Sequence, residues 1–212
     1  MADSLQEGFA SRMDMWQNSI GVNFDLAGIS STQTARNKIG VRLDAAPHVL
    51  QLKTTGLTFS RLAPYEDWDQ IRDEAKRYWD KYVEIVRPNE VSRIVVRYIN
   101  SMPIPAPLQE FNAYLTCPPD VPLALPQTIS SFLQQTVIAN ANSNQIARVT
   151  QALEHPPSAV TPLTILLDID VSQQQSFDPG EPAVWESLAR LREFKNQIFF
   201  EYITEKTAGY FV

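Results

Sequence analysis

A single cysteine, Cys117, stands in the 212 residues, so no internal disulfide can form and a reducing compartment is the natural setting. Glycine is equally scarce. The seven that occur are scattered and build neither GxGxxG nor GxxxxGK[ST], the loops whose backbone amides cradle nucleotide phosphates. There are two histidines, His48 and His155, each beside proline in an expected exposed turn, and no HExxH, CxxC or GxSxG motif. No apolar run approaches the roughly 18 residues that cross a bilayer. The opening MADSLQEGFASRMDMW has neither the basic nor the apolar stretch of a signal peptide, which makes the cytoplasm the expected location, with no membrane partner. A net charge of −6 argues against nucleic acid, whose binding depends on a basic footprint.

What is present is an ordinary globular composition, 44% hydrophobic and 20% charged, in a chain long enough to bury a sizeable core. Charge is unevenly spread: residues 1–100 carry 13 basic and 13 acidic side chains, residues 101–212 carry 5 and 11. Seven of the fifteen prolines lie between Pro103 and Pro126. Proline fixes φ and removes a donor, so residues 101–127 read as a connector, with FNAYLTC (111–117) as a short edge strand, between two halves, 1–100 and 128–212, of one domain.

In the first half Leu5, Phe9, Met13 and Trp16 recur at helical spacing and predict an opening helix. KIGVRLD (38–44), HVLQLK (48–53) and LTFSRL (57–62) alternate apolar and polar residues between turns, which predicts an antiparallel meander. Pro64 introduces a long helix with Trp68, Ile71, Ala75, Tyr78 and Tyr82 on one stripe, stopped by Arg87, Pro88 and Asn89. RIVVRYIN (93–100) follows as a strand. The second half repeats the plan more loosely: a hairpin of FLQQTVIA (132–139) and QIARVTQAL (145–153), a strand LTILLDIDV (163–171), then a proline-introduced helix with Val184, Leu188, Leu191, Ile198 and Tyr202 on one stripe. The expected fold is α+β: one mainly antiparallel sheet of about seven or eight strands from two strands-then-helix halves, with long amphipathic helices packed on one face.

The candidate site residues are charges on strands. In RIVVRYIN, Ile94, Val96 and Tyr98 face one way and Arg93 and Arg97 the other; in LTILLDIDV, Asp168 and Asp170 share a face. A strand with two cations and a strand with two anions suggest cross-strand pairs, each contributing roughly 0.2–1 kcal/mol. Alternatively Arg42, Lys53, Arg93 and Arg97 form a cationic strip for an anionic ligand or an acidic partner. Asp168 and Asp170 stand close enough to share a divalent cation, but no histidine or third acid follows at motif spacing, so neither metal nor cofactor is expected. Asn100, ahead of Ser101 and Pro103, reads as a cap for backbone groups in a turn.

Arg97-Tyr98-Ile99-Asn100 after the first long helix, and a closing helix with Phe200 ahead of Ile203-Thr204, resemble a sporadically distributed bacterial protein family of unknown function. The resemblance spans most of residues 35–207. The family's usual opening, a proline-introduced apolar strand carrying a glutamate, is missing, which marks a shortened member. The resemblance implies a bacterial cytosolic protein without assigned activity, accessory to a mobile or defence-related gene cassette.

Two function classes follow. The preferred one is a non-enzymatic protein-binding or assembly module that meets another protein, or another copy of itself, through its polar sheet face, sheet edges or proline-rich loop. The alternative is a small-ligand protein or enzyme with a cavity between helices and sheet, lined by aromatics such as Trp68, Tyr78, Trp79 and Phe199 and using Asp168, Asp170, Arg93 and Arg97.

Overall fold

A computed structural model describes residues 8–25, 28–64, 67–104, 110–154 and 163–211, with residues 19–34 described through their backbone alone. The chain divides into two compact units, Met1–Pro88 and Asn89–Val212, and RIVVRYIN belongs to the second.

The first unit is a four-stranded antiparallel sheet in chain order, β1 (Ser11–Asp25), β2 (Gly28–Ala45), β3 (His48–Lys53) and β4 (Gly56–Arg61), followed by helix α1 (Trp68–Val86). The meander read from KIGVRLD, HVLQLK and LTFSRL is present in register, Val41 opposite Leu52 and Leu50 opposite Phe59. The opening helix is not. Met13 and Trp16 sit inside β1, which pairs with β2 from Ser11↔Asp44 to Asp25↔Gly28, while Leu5 lies outside the described residues. β3 covers only the last part of β2, Gly40 to Ala45, so beyond Gly40 strands β1 and β2 run on as a two-stranded ribbon.

Alternation puts Val41, Leu43, Leu50 and Leu52 on one face, where Tyr82 of α1 completes a buried cluster and Phe9, Leu57, Phe59, Tyr78, Trp79 and Val86 pack against it. Helix α1 begins at Trp68, four residues after Pro64, because the Asp67 side chain caps it by accepting from the Asp69 amide. It ends where Arg87 takes a left-handed conformation (φ 51°) and its amide donates to the Val83 carbonyl, with Pro88 barring continuation. His48 is not a loop residue: it opens β3, half-buried, its ring 5.5 Å from that of Phe59 and its Nε2 3.0 Å from Glu74 Oε2.

The second unit holds β5 (Val91–Ile104), β6 (Leu133–Asn140), β7 (Gln145–Glu154) and β8 (Leu163–Phe177) in the order β5-β8-β7-β6, all antiparallel, then α2 (Ala183–Tyr202) and the one-turn α3 (Glu205–Ala208). The single sheet of seven or eight strands is therefore corrected to two sheets of four. β5 pairs along its length with β8, from Val91↔Phe177 to Ile104↔Leu163. It runs four residues past RIVVRYIN, and Pro103 is tolerated because β5 is an edge strand. Asn100 accordingly sits mid-strand rather than at a turn, its Nδ2 donating to the Leu167 carbonyl at 3.0 Å.

The buried apolar residues of this sheet are Ile94, Val96, Met102 and Ile104 of β5, Ile165, Leu167, Ile169, Val171 and Phe177 of β8, and Ala147, Val149 and Leu153 of β7. Helix α2 lies against β8 and β5, and Val184, Leu191, Ile198 and Phe199 are its buried apolar residues.

FNAYLTC does not form the expected edge strand. Phe111–Ala113 is a 3-10 turn, and Leu115 makes an isolated bridge to Ile203 just after α2. Around that bridge the Thr116 amide donates to the Tyr202 carbonyl, the Thr204 amide to the Tyr114 carbonyl, and the Thr207 hydroxyl to the Tyr114 carbonyl. Thr204 also caps α3 and donates its hydroxyl to the Ala113 carbonyl. Residues 113–116 of the connector are thus clasped to the end of α2.

Candidate functional site

The charged strands named from sequence are neighbours. β5 and β8 are hydrogen-bonded partners with Arg97 opposite Asp170 and Ile99 opposite Asp168. Arg97 reaches diagonally to Asp168, with Nε 2.9 Å from Oδ1 and an Nη nitrogen 2.6 Å from Oδ2, a two-point guanidinium–carboxylate pair. That hydrogen bond raises the Arg97 pKa above its ordinary value against the opposing effect of burial, and the charges of Asp168 and Asp170 add to the rise. Arg93 approaches Asp170 more loosely, at 3.8 Å. Arg42 and Lys53 do not belong to this group. They lie on β2 and β3 in the first unit, where Arg42 is held by Asp44 at 2.6–3.0 Å, so the four-residue cationic strip is split between two sheets.

Alternation and register place a full set of residues on the face that carries Arg97 and Asp168. One row across the four strands reads Val137, Arg148, Asp170, Arg97; the next reads Gln135, Thr150, Asp168, Ile99; Ile146 and Ser172 precede them, and Leu133, Ala152 and Leu166 follow. This face is open to solvent. Leu133 is 77% exposed, Val137 58%, Ile99 58% and Ile146 44%, and Arg93, Arg97 and Arg148 are exposed as well. Gln135 donates to the Thr150 hydroxyl at 3.0 Å. Arg148, opposite Asp170 on the side away from Arg97, makes no ion pair among the described residues. Sequence reasoning missed Arg148, Leu133, Val137 and Ile146. The signal was present, since LQQTVIAN and QIARVTQALE alternate with apolar residues on both faces, but only the strand order shows which face carries the arginines.

The opposite face meets a buried cation. Lys195 of α2 is buried, with Nζ 3.9 Å from the centre of the Tyr98 ring and 5.9 Å from that of Phe199. Burial lowers its pKa from 10.5 to about 8, and the charge of Arg192 acts in the same direction.

The aromatics considered as cavity walls are dispersed. Tyr78 and Trp79 pack on the core of the first unit, and Phe199 lies beside Lys195 and Phe200 in the second. A shallow cleft of about 410 Å³ opens at the β6–β7 turn, lined by polar residues including Asn142, Ser143, Gln173 and Arg190, and none of the six candidates lines it. Among the described residues no three of His, Cys, Asp and Glu cluster so as to hold a metal ion, and no helix is long and apolar enough to cross a membrane. Cys117 is free and exposed.

No family model, no curated protein and no solved structure matches this chain.

Proposed function

We propose that the protein is a binding or assembly module and that the uncovered face of the second sheet is its contact surface, with α2 covering the opposite, apolar face. The observation that carries this is the exposure of Leu133, Val137, Ile146 and Ile99 on one face of one sheet, around a strip of arginines and aspartates. Single exposed apolar residues are ordinary, whereas four on one sheet face are what a docking surface provides, since covering them releases water and is favourable. The paired Arg97 and Asp168 supply orientation. Their charges already satisfy each other, so a partner need not neutralise them. Nothing in this arrangement requires catalysis. The resemblance of the R-Y-I-N strand and the I-T ending supports a bacterial, cytosolic setting and an accessory role in a mobile or defence-related cassette as part of the same proposal.

Affinity capture tests the reading when the immobilised full chain is compared with V137D and I99D, which charge the open face, and with F200S, which removes an exposed apolar residue of α2 (62% exposed). Proteins retained by the wild type and by F200S should be lost with V137D and with I99D. Retention of the same proteins by all four chains would overturn the assignment of the face.

A further inference from the structure

We infer that the cleft at the β6–β7 turn is a binding site for a small polyhydroxylated anion, the chemistry that a sugar acid and a polyol phosphate share. The inference goes beyond the docking face and uses none of its residues. Three observations within the second unit carry it.

The first is a pair of glutamines in the cleft wall. Gln145 opens β7 and stands opposite Gln173 of β8, and both line the cleft although they are only 5% and 7% exposed. Alternation puts them on the side of Ala147 and Val171, the face against which α2 lies. Buried side-chain amides normally have their hydrogen bonds made, and these two have them half made. Ser143 donates its hydroxyl to Gln145 Oε1 at 3.0 Å, and Gln173 Nε2 donates to Gln175 Oε1 at 2.9 Å. Gln145 Nε2 and Gln173 Oε1 are left without hydrogen-bond partners among the described residues. The one contact that ties the Gln173 amide is with an exposed side chain, so an entering group can take its place without disturbing the core. A free donor and a free acceptor on neighbouring strands suit a hydroxyl, which accepts and donates at once.

The second is Arg190. It projects from α2 into the same cleft, where one Nη nitrogen donates to the buried Ser187 hydroxyl at 2.6 Å. That bond steadies the guanidinium and leaves its other N–H groups open. No carboxylate pairs with it among the described residues. An arginine held in this way presents a planar set of donors that fits a carboxylate or a phosphate.

The third is the charge of the surroundings. Residues 89–212 hold seven basic and twelve acidic side chains, yet no aspartate or glutamate is among the residues that line the cleft. In an acidic unit this is a place where an anion meets a cation and no close repulsion. The volume of about 410 Å³ lies at the small end of ligand sites and sets the size of the molecule.

Titration of the isotope-labelled full chain, followed through its amide NMR signals, tests the site. The probes are gluconate and glycerol phosphate; acetate and inorganic phosphate supply the anion alone, and glycerol the hydroxyls alone. At least one probe should move the Gln145 and Gln173 side-chain amide signals saturably, and the tighter of the two tells carboxylate from phosphate. The three partial ligands should bind at least about tenfold more weakly. R190Q removes the charge at an exposed position and should weaken the bound probe by about tenfold or more, as should Q173L, which replaces the half-bonded amide by an apolar side chain. Should Q173L fail to fold, R190Q keeps the test decisive. Binding of neither probe, binding that a partial ligand matches, or binding that R190Q leaves unchanged overturns the site.

Discussion

Arg97 and Asp168 answer to different environments although they form one pair. The Arg97 side chain is 53% exposed and that of Asp168 is 16% exposed. Truncating Asp168 leaves a guanidinium that water can solvate, whereas truncating Arg97 leaves a carboxylate that water reaches poorly. Arg97→Ala is therefore expected to destabilise the chain more than Asp168→Ala, with a coupling of about 0.5–1 kcal/mol in the double-mutant cycle. Urea unfolding of the four proteins gives both quantities, and equal costs with no coupling would show that the pair is incidental. Lys195 presents the reverse case, a cation whose charged form the fold disfavours. Its pKa is about 8 folded and about 10.5 unfolded, so between those values the unfolded chain binds more protons and stability rises with pH. Below about pH 8 both states are protonated and the cost of the buried charge is present in full. Lys195→Met should lack this rise, which unfolding free energies measured across the window would reveal; a rise of the same size in the variant would assign it to another group.

Elements differ in how openly the sequence announces them. The meander was legible because tight turns bracket Val41, Leu43, Leu50 and Leu52 at a clean period of two. β1 was not, although Met13 and Met15 alternate with Arg12 and Asp14. Its register shifts between Met15 and Trp16 and again between Ser19 and Ile20, and each shift breaks the phase. Leu5, Phe9, Met13 and Trp16 then mimic a helical stripe. FNAYLTC failed for another reason: its backbone groups are taken by Ile203 and Thr204 at the end of α2, a pairing 90 residues distant that no local pattern encodes. Gly40 shows what a local pattern can hide. A Cβ there would lie 2.2 Å from the Leu52 carbonyl oxygen and 2.9 Å from the Lys53 Cα, so only glycine lets β3 close on β2 where the ribbon begins. Gly40→Ala is expected to cost more than about 2 kcal/mol, a cost usually reserved for core damage. A thermal midpoint unchanged from the wild type would refute that close approach.

For the whole molecule, the meander, the hairpin, the two charged strands, both long helices and the facing of the arginines could be read from residues, but the partition could not. Strand pairing depends on which edges meet, and β5 takes β8 rather than β4, which moves RIVVRYIN into the second unit and separates Arg93 and Arg97 from Arg42 and Lys53. The same pairing assembles the open face, since Arg148 and Val137 come alongside Asp170 only through β7 and β6. Net charge followed the division: residues 1–88 hold eleven basic and twelve acidic side chains, residues 89–212 seven and twelve. Within that acidic second unit the balanced face of β5-β8-β7-β6 is the exception, and it is the surface on which the account depends. Radical labelling of exposed side chains, followed residue by residue in the full chain with and without the proteins that affinity capture retains, tests it most directly. Labelling of Leu133, Val137, Ile146 and Ile99 should fall when those proteins are bound while that of Met13 and Trp16, exposed in the first unit, stays constant. Constant labelling of those four residues, with protection appearing elsewhere, would contradict a docking role for this face.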